Sequence, residues 1–504
     1  MPKTLLILLF LISANILPQS FFDDSNKNAV IVNDVVATIG NLKITAGEFF
    51  YSYEFGPAFP KRGKNSKNIY LQYMINEKLL ALEGYANNLL KKDDVKNLFG
   101  DIQADLATEE MFKDEILSKV SISSEELESG IELKQNVLYL KWLYFENEQT
   151  MNHYVRQMDI GISFDSLFSL QLNDSVFAND RELNATEFDL IKKNFVLAKI
   201  IADLKPGEIS YPIKVEEGWY IVKYANKWKN MLTGETEYEK IKSEVREALT
   251  ETKIDSMSGL YVNKLMLEEN PVIQREVADV LKYYIAEHII PGETNEQWET
   301  RNKLDSILTK LGFNKNDNYK SLAIAKGKNT DFTLEEFLNW FWNRDQYFKI
   351  LKDNYLNYSL AMEKIIWQMV RDKILTGKAK EKGYFENSWV KFQSGWWKDK
   401  IVYSAERNEL GNMVMINYEE KGIPSNFKKP KDDYLTSELT KITLHKLVAL
   451  KKKYKVVINQ NILDKIKVSS ENEPKSIEVY YVKKGSLIPR NPFPTINAEW
   501  AGWE

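Results

Sequence analysis

The stretch LKPGEISYPI at residues 204–213, followed by GWYIVK at residues 218–223, contains the turn and strand signals that define the central part of the sequence. Pro206-Gly207 predicts a tight turn, because proline fixes its φ angle and glycine accepts positive φ values. Residues 208–224 then alternate like a pair of strands, and Glu217-Gly218-Trp219 marks a hairpin within them. These residues therefore predict a turn that leads into a β-hairpin.

The residues upstream extend this hairpin into a compact α+β module. Residues 137–145 form a strand-like run, and residues 152–161 have the pattern of a short helix. A charged helical pattern returns from Glu237 onwards. We place the module at residues 136–228.

A repeated pattern lies on both sides of this module. Residues 35–41 predict a strand that ends in a turn, and Thr45 with Glu48 predicts a capping box at the start of a helix. Apolar side chains in residues 69–90 follow at helical spacing and predict one apolar face.

Parts of this pattern recur later in the chain. Ile44-Thr45 with Glu48-Phe49 returns as Phe332-Thr333 with Glu336-Phe337. The sequence MINEKLL at 74–80 returns as MVRDKIL at 369–375. We therefore expect two similar helical units, one on each side of the module.

The C-terminal part predicts one more strand. Residues 451–459, with the sequence KKKYKVVIN, follow a long helical pattern, and we expect them to return and pair with the N-terminal strand. Residues 468–504 contain Pro489, Pro492 and Pro494 and have the composition of a loose tail.

The composition bounds the class of protein. The length of 504 residues predicts roughly three domains of about 150 residues each. A net charge of −4, from 68 basic and 72 acidic side chains, provides no general attraction for phosphate backbones, so nucleic acid is not an expected partner. With no cysteine and three histidines, we expect no disulfide, no thiolate nucleophile, no metal and no other cofactor.

The N-terminus resembles a secretory signal peptide. Lys3 precedes the mainly apolar run 5–17, and polar and acidic residues follow it. This run is shorter than the roughly 20 apolar residues needed to span a bilayer, and no later stretch supplies them. We expect export, with a signal peptide at residues 1–20 and no stable transmembrane segment after its removal.

Residues 136–228 resemble the parvulin family of peptidyl-prolyl isomerases, on GISF at 161–164, LKPGEISYPI at 204–213 and GWYIVK at 218–223. The strand at 35–39, the helices before the module and KYKVVIN at 453–459 resemble the SurA-like periplasmic chaperones. The resemblance implies an α+β multidomain protein, in which a parvulin-like α+β module is inserted between mainly helical SurA-like chaperone segments.

The chain departs from the active parvulins at the expected histidines. By the resemblance, one histidine belongs in the first strand, where this chain has Trp142, and the other belongs in the last hairpin, where it has Tyr220. His153 lies on the predicted helix, away from both positions. Phe195 corresponds to the apolar pocket residue of the family, with Leu197 as the alternative. We name no catalytic residue. Trp142, Phe195 and Tyr220 are the expected peptide-binding residues, and the alternative for Trp142 and Tyr220 is that both only fill the core of the sheet.

These observations together predict six segments: a signal peptide (1–20), an N-terminal helical chaperone region (21–135), the parvulin-like domain (136–228), a helical connector (229–325), a second helical unit with a C-terminal helix and strand (326–467) and a tail (468–504). We expect a periplasmic holdase that binds unfolded exported or outer-membrane proteins through its helical arms and a catalytically degenerate parvulin-like module. An active prolyl isomerase and a fixed subunit of an envelope assembly remain open, as does docking on the outer membrane.

Overall fold

A computed structural model describes residues 32–56, 59–61, 65–172, 176–231, 234–314, 317–424, 427, 430–468 and 494–495. The protein is an α+β multidomain chain, as predicted, and it divides into two compact units. The first unit combines residues 1–118 with residues 258–504, and the second unit is residues 119–257. The predicted signal peptide lies outside the described residues.

Seventeen α-helices occur in the described residues: α1 (Ala46–Phe55), α2 (Ser66–Ala86), α3 (Asp93–Glu115), α4 (Ser124–Gln135), α5 (Glu148–Asp159), α6 (Phe164–Gln171), α7 (Glu187–Lys193), α8 (Phe195–Ala202), α9 (Glu235–Glu269), α10 (Arg275–Ile289), α11 (Gly292–Gln297), α12 (Thr300–Lys310), α13 (Leu334–Trp342), α14 (Tyr355–Glu381), α15 (Ser388–Lys421), α16 (Lys431–Lys453) and α17 (Gln460–Lys465). The described strands are β1 (Val35–Ile39), β2 (Leu42–Thr45), β3 (Asn136–Phe145), β4 (Glu182–Thr186), β5 (Ile213–Val215), β6 (Gly218–Lys229), β7 (Val272–Ile273), β8 (Ala323–Lys326), β9 (Asp331–Thr333) and β10 (Val456–Ile458).

The second unit is built on one antiparallel sheet with the strand order β4-β3-β6-β5. Because side chains alternate across a strand, the sheet has two apolar faces. Leu143, Phe145 and Ile221 pack against α5 and α6 on one face. Leu140 and Val222 belong to the other face, which packs against α7 and α8. The sheet is therefore covered by helices on both sides.

The predicted elements of this unit occur, with shifted ends. The strand predicted at 137–145 is β3, and the predicted hairpin is formed by β5 and β6. The short helix predicted at 152–161 is α5, which begins at Glu148 instead. Asn147 sets this earlier start, because its side chain accepts a hydrogen bond from the Thr150 backbone N–H and caps the helix.

The first unit contains two three-stranded sheets of matching design, with the orders β10-β1-β2 and β7-β8-β9. In both hairpins the pairing shifts at the same place, between Val35 and Ala37 in β1 and between Ala323 and Ala325 in β8. Each hairpin then leads into a helix with a complete capping box, at Thr45 in one copy and Thr333 in the other. The repeat expected from the sequence is therefore present in the backbone.

The third strand of each sheet also matches. Ile458 of β10 pairs with Ala37, and Ile273 of β7 pairs with Ala325. The residue that follows the strand donates its N–H in the same way in both copies, from Asn459 to Val36 and from Gln274 to Ile324, at 2.8 Å each. The predicted return of the late strand to β1 is confirmed.

Long helices complete this unit. The apolar residues of α2 are buried on more than the one predicted face, because α15 and α16 pack against this helix. The helix ends at Ala86. Trp340, Phe341, Trp396 and Trp397 are buried, so these aromatic residues fill cores. None of the helices in the described ranges has the length and hydropathy needed to cross a bilayer.

Candidate functional site

Trp142 and Tyr220 lie on the same face of the sheet in the second unit. Trp142 of β3 is directly opposite Val222 of β6, and Tyr220 is directly opposite Tyr144. Trp142 and Tyr220 are therefore diagonal neighbours, a spacing that aromatic side chains can bridge. Both are half-buried and border the apolar cluster that α7 and α8 cover. We call Trp142, Tyr144 and Tyr220 the aromatic face.

The outer end of this face is polar. The rings of Tyr144 and Tyr220 lie 5.1 Å apart, and the Arg181 guanidinium is 5.1 Å from the Tyr144 ring centroid. The Tyr144 hydroxyl donates to the backbone carbonyl of Glu217 at 2.6 Å. Among the residues that the structure describes, the buried Arg181 Nε has no hydrogen-bond partner. A planar cation thus lies beside two phenols.

The hydroxyl of Tyr220 stays protonated near neutral pH. Its pKa is raised, first by burial and then by the neighbouring Tyr144 and Glu217, and the Arg181 charge only partly opposes this. A protonated phenol can donate a hydrogen bond to a carbonyl oxygen. The face therefore presents a donor next to apolar ring surface.

Phe195 and Leu197 both lie on α8 but have different surroundings. Leu197 packs against the cluster that includes Trp142 and Tyr220, whereas Phe195 is 67% exposed at the first position of the helix. Asn194 sets this position, because its side chain caps α8 by accepting the Leu197 N–H at 3.0 Å. Leu197 is thus the member of the pair that packs against this cluster, and Phe195 is exposed to solvent.

The motif LKPGEIS attaches a further edge to the sheet. Gly207 has a φ of +98°, which favours glycine, and its N–H donates to the Tyr224 carbonyl at 2.5 Å. Ser210 is bonded twice to Val222, donating its N–H to the carbonyl and accepting the Val222 N–H on its hydroxyl. Tyr211, next in the chain, is 92% exposed. These hydrogen bonds hold residues 207–210 against β6, next to the aromatic face.

His153 takes no part in this face. It lies on α5, which packs on the opposite side of the sheet, and its ring nitrogen Nε2 is 3.2 Å from Gln157. Sequence reasoning missed Tyr144 and Arg181. Strand alternation from Trp142 could have identified Tyr144, but no local pattern identifies Arg181.

The arrangement suits binding. Half-buried rings offer apolar contact at a low entropy cost, and the phenol and guanidinium can donate to the carbonyl groups of a bound chain. Rotation about a prolyl bond breaks no covalent bond, so such a face can also act on a proline-containing segment by fitting the twisted amide.

The comparisons with known proteins give few matches. No protein-family model matches the chain, and no curated protein matches it. It is similar to the crystal structure of PrsA from Bacillus subtilis, with 18% identity, 45% of this chain and 93% of that chain covered, and a TM-score of 0.16. It is also similar to the peptidylprolyl isomerase PrsA from Bacillus anthracis, with 14% identity, 49% and 99% covered, and a TM-score of 0.20. A third similar structure is the peptidylprolyl isomerase PrsA from Bacillus cereus, with 14% identity, 57% of this chain and 96% of that chain covered, and a TM-score of 0.19. Identities and TM-scores this low establish no shared function.

Proposed function

We propose that the protein is a periplasmic chaperone that holds unfolded or extended segments of exported polypeptides. The observation that carries this proposal is the half-buried aromatic face at Trp142, Tyr144 and Tyr220, with a phenol and a guanidinium at its outer end. It offers ring surface to apolar side chains and donors to backbone carbonyls, the two features that every extended chain presents.

Exposed apolar side chains near this face support the same function. Phe195 and Val196 are about two-thirds exposed on α8, which packs against the apolar cluster bordered by Trp142 and Tyr220, and Tyr211 is exposed beside the β5 edge. Exposed apolar residues that cluster on one module are typical of an interaction surface. Clients of varied sequence can bind to these side chains, because apolar contacts of this kind do not depend on one particular side chain of the client.

The periplasmic location rests on the leader-like N-terminus at residues 1–20. Outer-membrane proteins are the proposed clients, because they cross this compartment before they fold.

The test is suppression of aggregation. An unfolded outer-membrane protein is diluted from urea into buffer with the mature chain, and light scattering is followed over time. We expect scattering to fall as the chaperone approaches an equimolar ratio. Unchanged scattering at a fivefold molar excess (about 5:1, well above a 1:1 complex) would contradict the proposal.

A prolyl isomerase is the second candidate, favoured by the protonated Tyr220 hydroxyl beside Arg181. NMR exchange measurements on short X-Pro peptides separate the two candidates. Faster cis/trans exchange that disappears in Tyr220→Phe would make the protein an enzyme. Line broadening without acceleration would leave a binding protein.

A further inference from the structure

A second candidate binding site lies in the first unit, between α2 and α15. Pro494 is buried there in a groove formed by Met74 of α2, Trp396 of α15 and Ser52 of α1. The cavity that remains beside the proline measures about 20 Å³, which is room for about one water molecule. The proline ring therefore forms part of the wall of a small cavity.

The next residue, Thr495, is held by two hydrogen bonds. Its backbone N–H donates to Glu77 Oε1 at 2.7 Å, and its hydroxyl accepts from the Tyr403 hydroxyl at 2.9 Å. Tyr403 is buried, and burial raises the pKa of its phenol, which keeps the donor protonated. A carboxylate and a phenol thus hold one backbone amide and one hydroxyl.

The groove keeps its charges paired without these two residues. Lys400 Nζ is 2.5 Å from the same Glu77 oxygen, and Lys78 Nζ is 2.6 Å from Asp399. Because each of these charges already has a partner on α2 or α15, removal of Thr495 leaves no buried charge uncompensated. Charge pairing in the groove therefore does not depend on Pro494 or Thr495.

The features recognised are general ones. Proline has no backbone N–H, so burial of its ring leaves no donor unsatisfied, and its fixed φ angle lowers the entropy lost on binding. Within the described part of this segment, the groove bonds the backbone amide and the hydroxyl of Thr495. Any extended chain with proline followed by threonine or serine offers the same groups.

We propose that the groove between α2 and α15 is a polypeptide-binding site for extended Pro-Thr and Pro-Ser segments, occupied in this chain by its own Pro494–Thr495. The chain's own segment competes with other polypeptides for the site. This site lies in the first unit and does not depend on the aromatic face, so either proposal can fail without the other.

The test uses the full-length mature chain and a fluorescein-labelled peptide with the sequence NPFPTIN, residues 491–497. Binding is measured by fluorescence anisotropy to the intact chain and to the Pro494→Gly/Thr495→Gly variant, whose groove is vacated. A tethered ligand acts at an effective concentration of order 1 mM, so a peptide with a Kd of about 100 μM binds the vacated variant about tenfold more tightly.

A matched pair of tyrosine variants locates the binding. In the vacated variant, Tyr403→Phe is expected to weaken peptide binding about fivefold, through loss of one hydrogen bond. Tyr358→Phe is the control, because its hydroxyl also makes one hydrogen bond, to the Lys282 carbonyl, in a different core of the same unit. It is expected to leave peptide binding unchanged.

A second measurement uses the unaltered chain. Excess peptide should increase hydrogen exchange of the segment that contains Thr495, since its N–H loses the bond to Glu77. The proposal is overturned if the peptide binds both chains equally, if it fails to bind the vacated variant, or if Tyr403→Phe and Tyr358→Phe have the same effect.

Discussion

Tyr144 and Tyr220 face each other across β3 and β6, with ring centroids 5.1 Å apart. Trp219, one residue earlier on β6, points to the opposite face of the same sheet and packs against α5 and α6. The sheet therefore contains two half-buried tryptophans, Trp142 and Trp219, of which only Trp142 shares the face of Tyr220. This difference separates a binding role from a packing role.

Trp142→Leu should weaken the binding of an extended apolar peptide by about tenfold, because aromatic side chains dominate such contacts. Trp219→Leu is the matched control. Both substitutions should lower the free energy of unfolding by a similar amount, but Trp219→Leu should leave peptide binding unchanged. Isothermal titration calorimetry and urea unfolding measure the two quantities. Equal binding by both variants would mean that Trp142 only fills the core.

The capping boxes predict a pair of equal effects. Thr45 and Thr333 accept the N–H of Glu48 and Glu336 at 3.1 and 3.2 Å. Thr45→Ala and Thr333→Ala should each reduce the free energy of unfolding by about 1 kcal/mol, because a helix N-terminal donor loses its partner. Thr→Ser at either position keeps the oxygen and should have little effect in urea unfolding. A loss in only one copy would show that the two repeats do not contribute alike.

Arg344 predicts a large loss. Its guanidinium is 2% exposed and contacts Asp101 at 2.8 Å and Asp105 at 3.2 Å. Arg344→Met should destabilise the chain by about 3 kcal/mol in urea unfolding, since it removes the buried cation that pairs with two partly buried carboxylates. Additional Asp101→Leu and Asp105→Leu substitutions should recover much of this loss. Lys92→Met, which breaks the exposed pair with Glu409, should change stability little.

Lys61 predicts a rise in stability at alkaline pH. The residue is 1% exposed, and burial lowers the pKa of its ammonium group from 10.5 to about 8. Between these two values the unfolded chain binds more protons than the folded chain, so the free energy of unfolding should rise with pH. One proton contributes at most about 1.4 kcal/mol per pH unit. The difference between wild type and Lys61→Met, measured in urea from pH 7 to pH 11, should show this slope, and a constant difference would contradict it.

Local signals explain how much of the fold was predictable. Turn residues at Pro206-Gly207 and capping residues at Thr45 and Thr333 act within a few positions, so they identified the hairpin and the repeat. The return of residues 456–458 to β1 was predicted from their apolar pattern at the end of a long helix. Strand β7 has only two residues, and a pattern that short cannot be recognised.

The candidate site was predictable only in part. Trp142 and Tyr220 were identified by resemblance, and their place on one face follows from β3–β6 pairing. Arg181 reaches Tyr144 from the end of a short helical turn, and Thr495 reaches Tyr403 from a distant part of the chain. Contacts of this kind depend on the tertiary structure, for which the sequence has no periodic pattern.

The origin of the third strand has a consequence for the order of events during synthesis. Strand β7 is made before the hairpin that it completes, whereas β10 is made after nearly all of the described residues of its unit. A two-stranded hairpin is marginally stable alone. The β1–β2 hairpin therefore cannot form its complete sheet until β10 has been synthesised, whereas the β8–β9 hairpin can pair with β7 as soon as it emerges. We therefore expect the sheet whose hairpin is synthesised first to be completed after the sheet of the later copy.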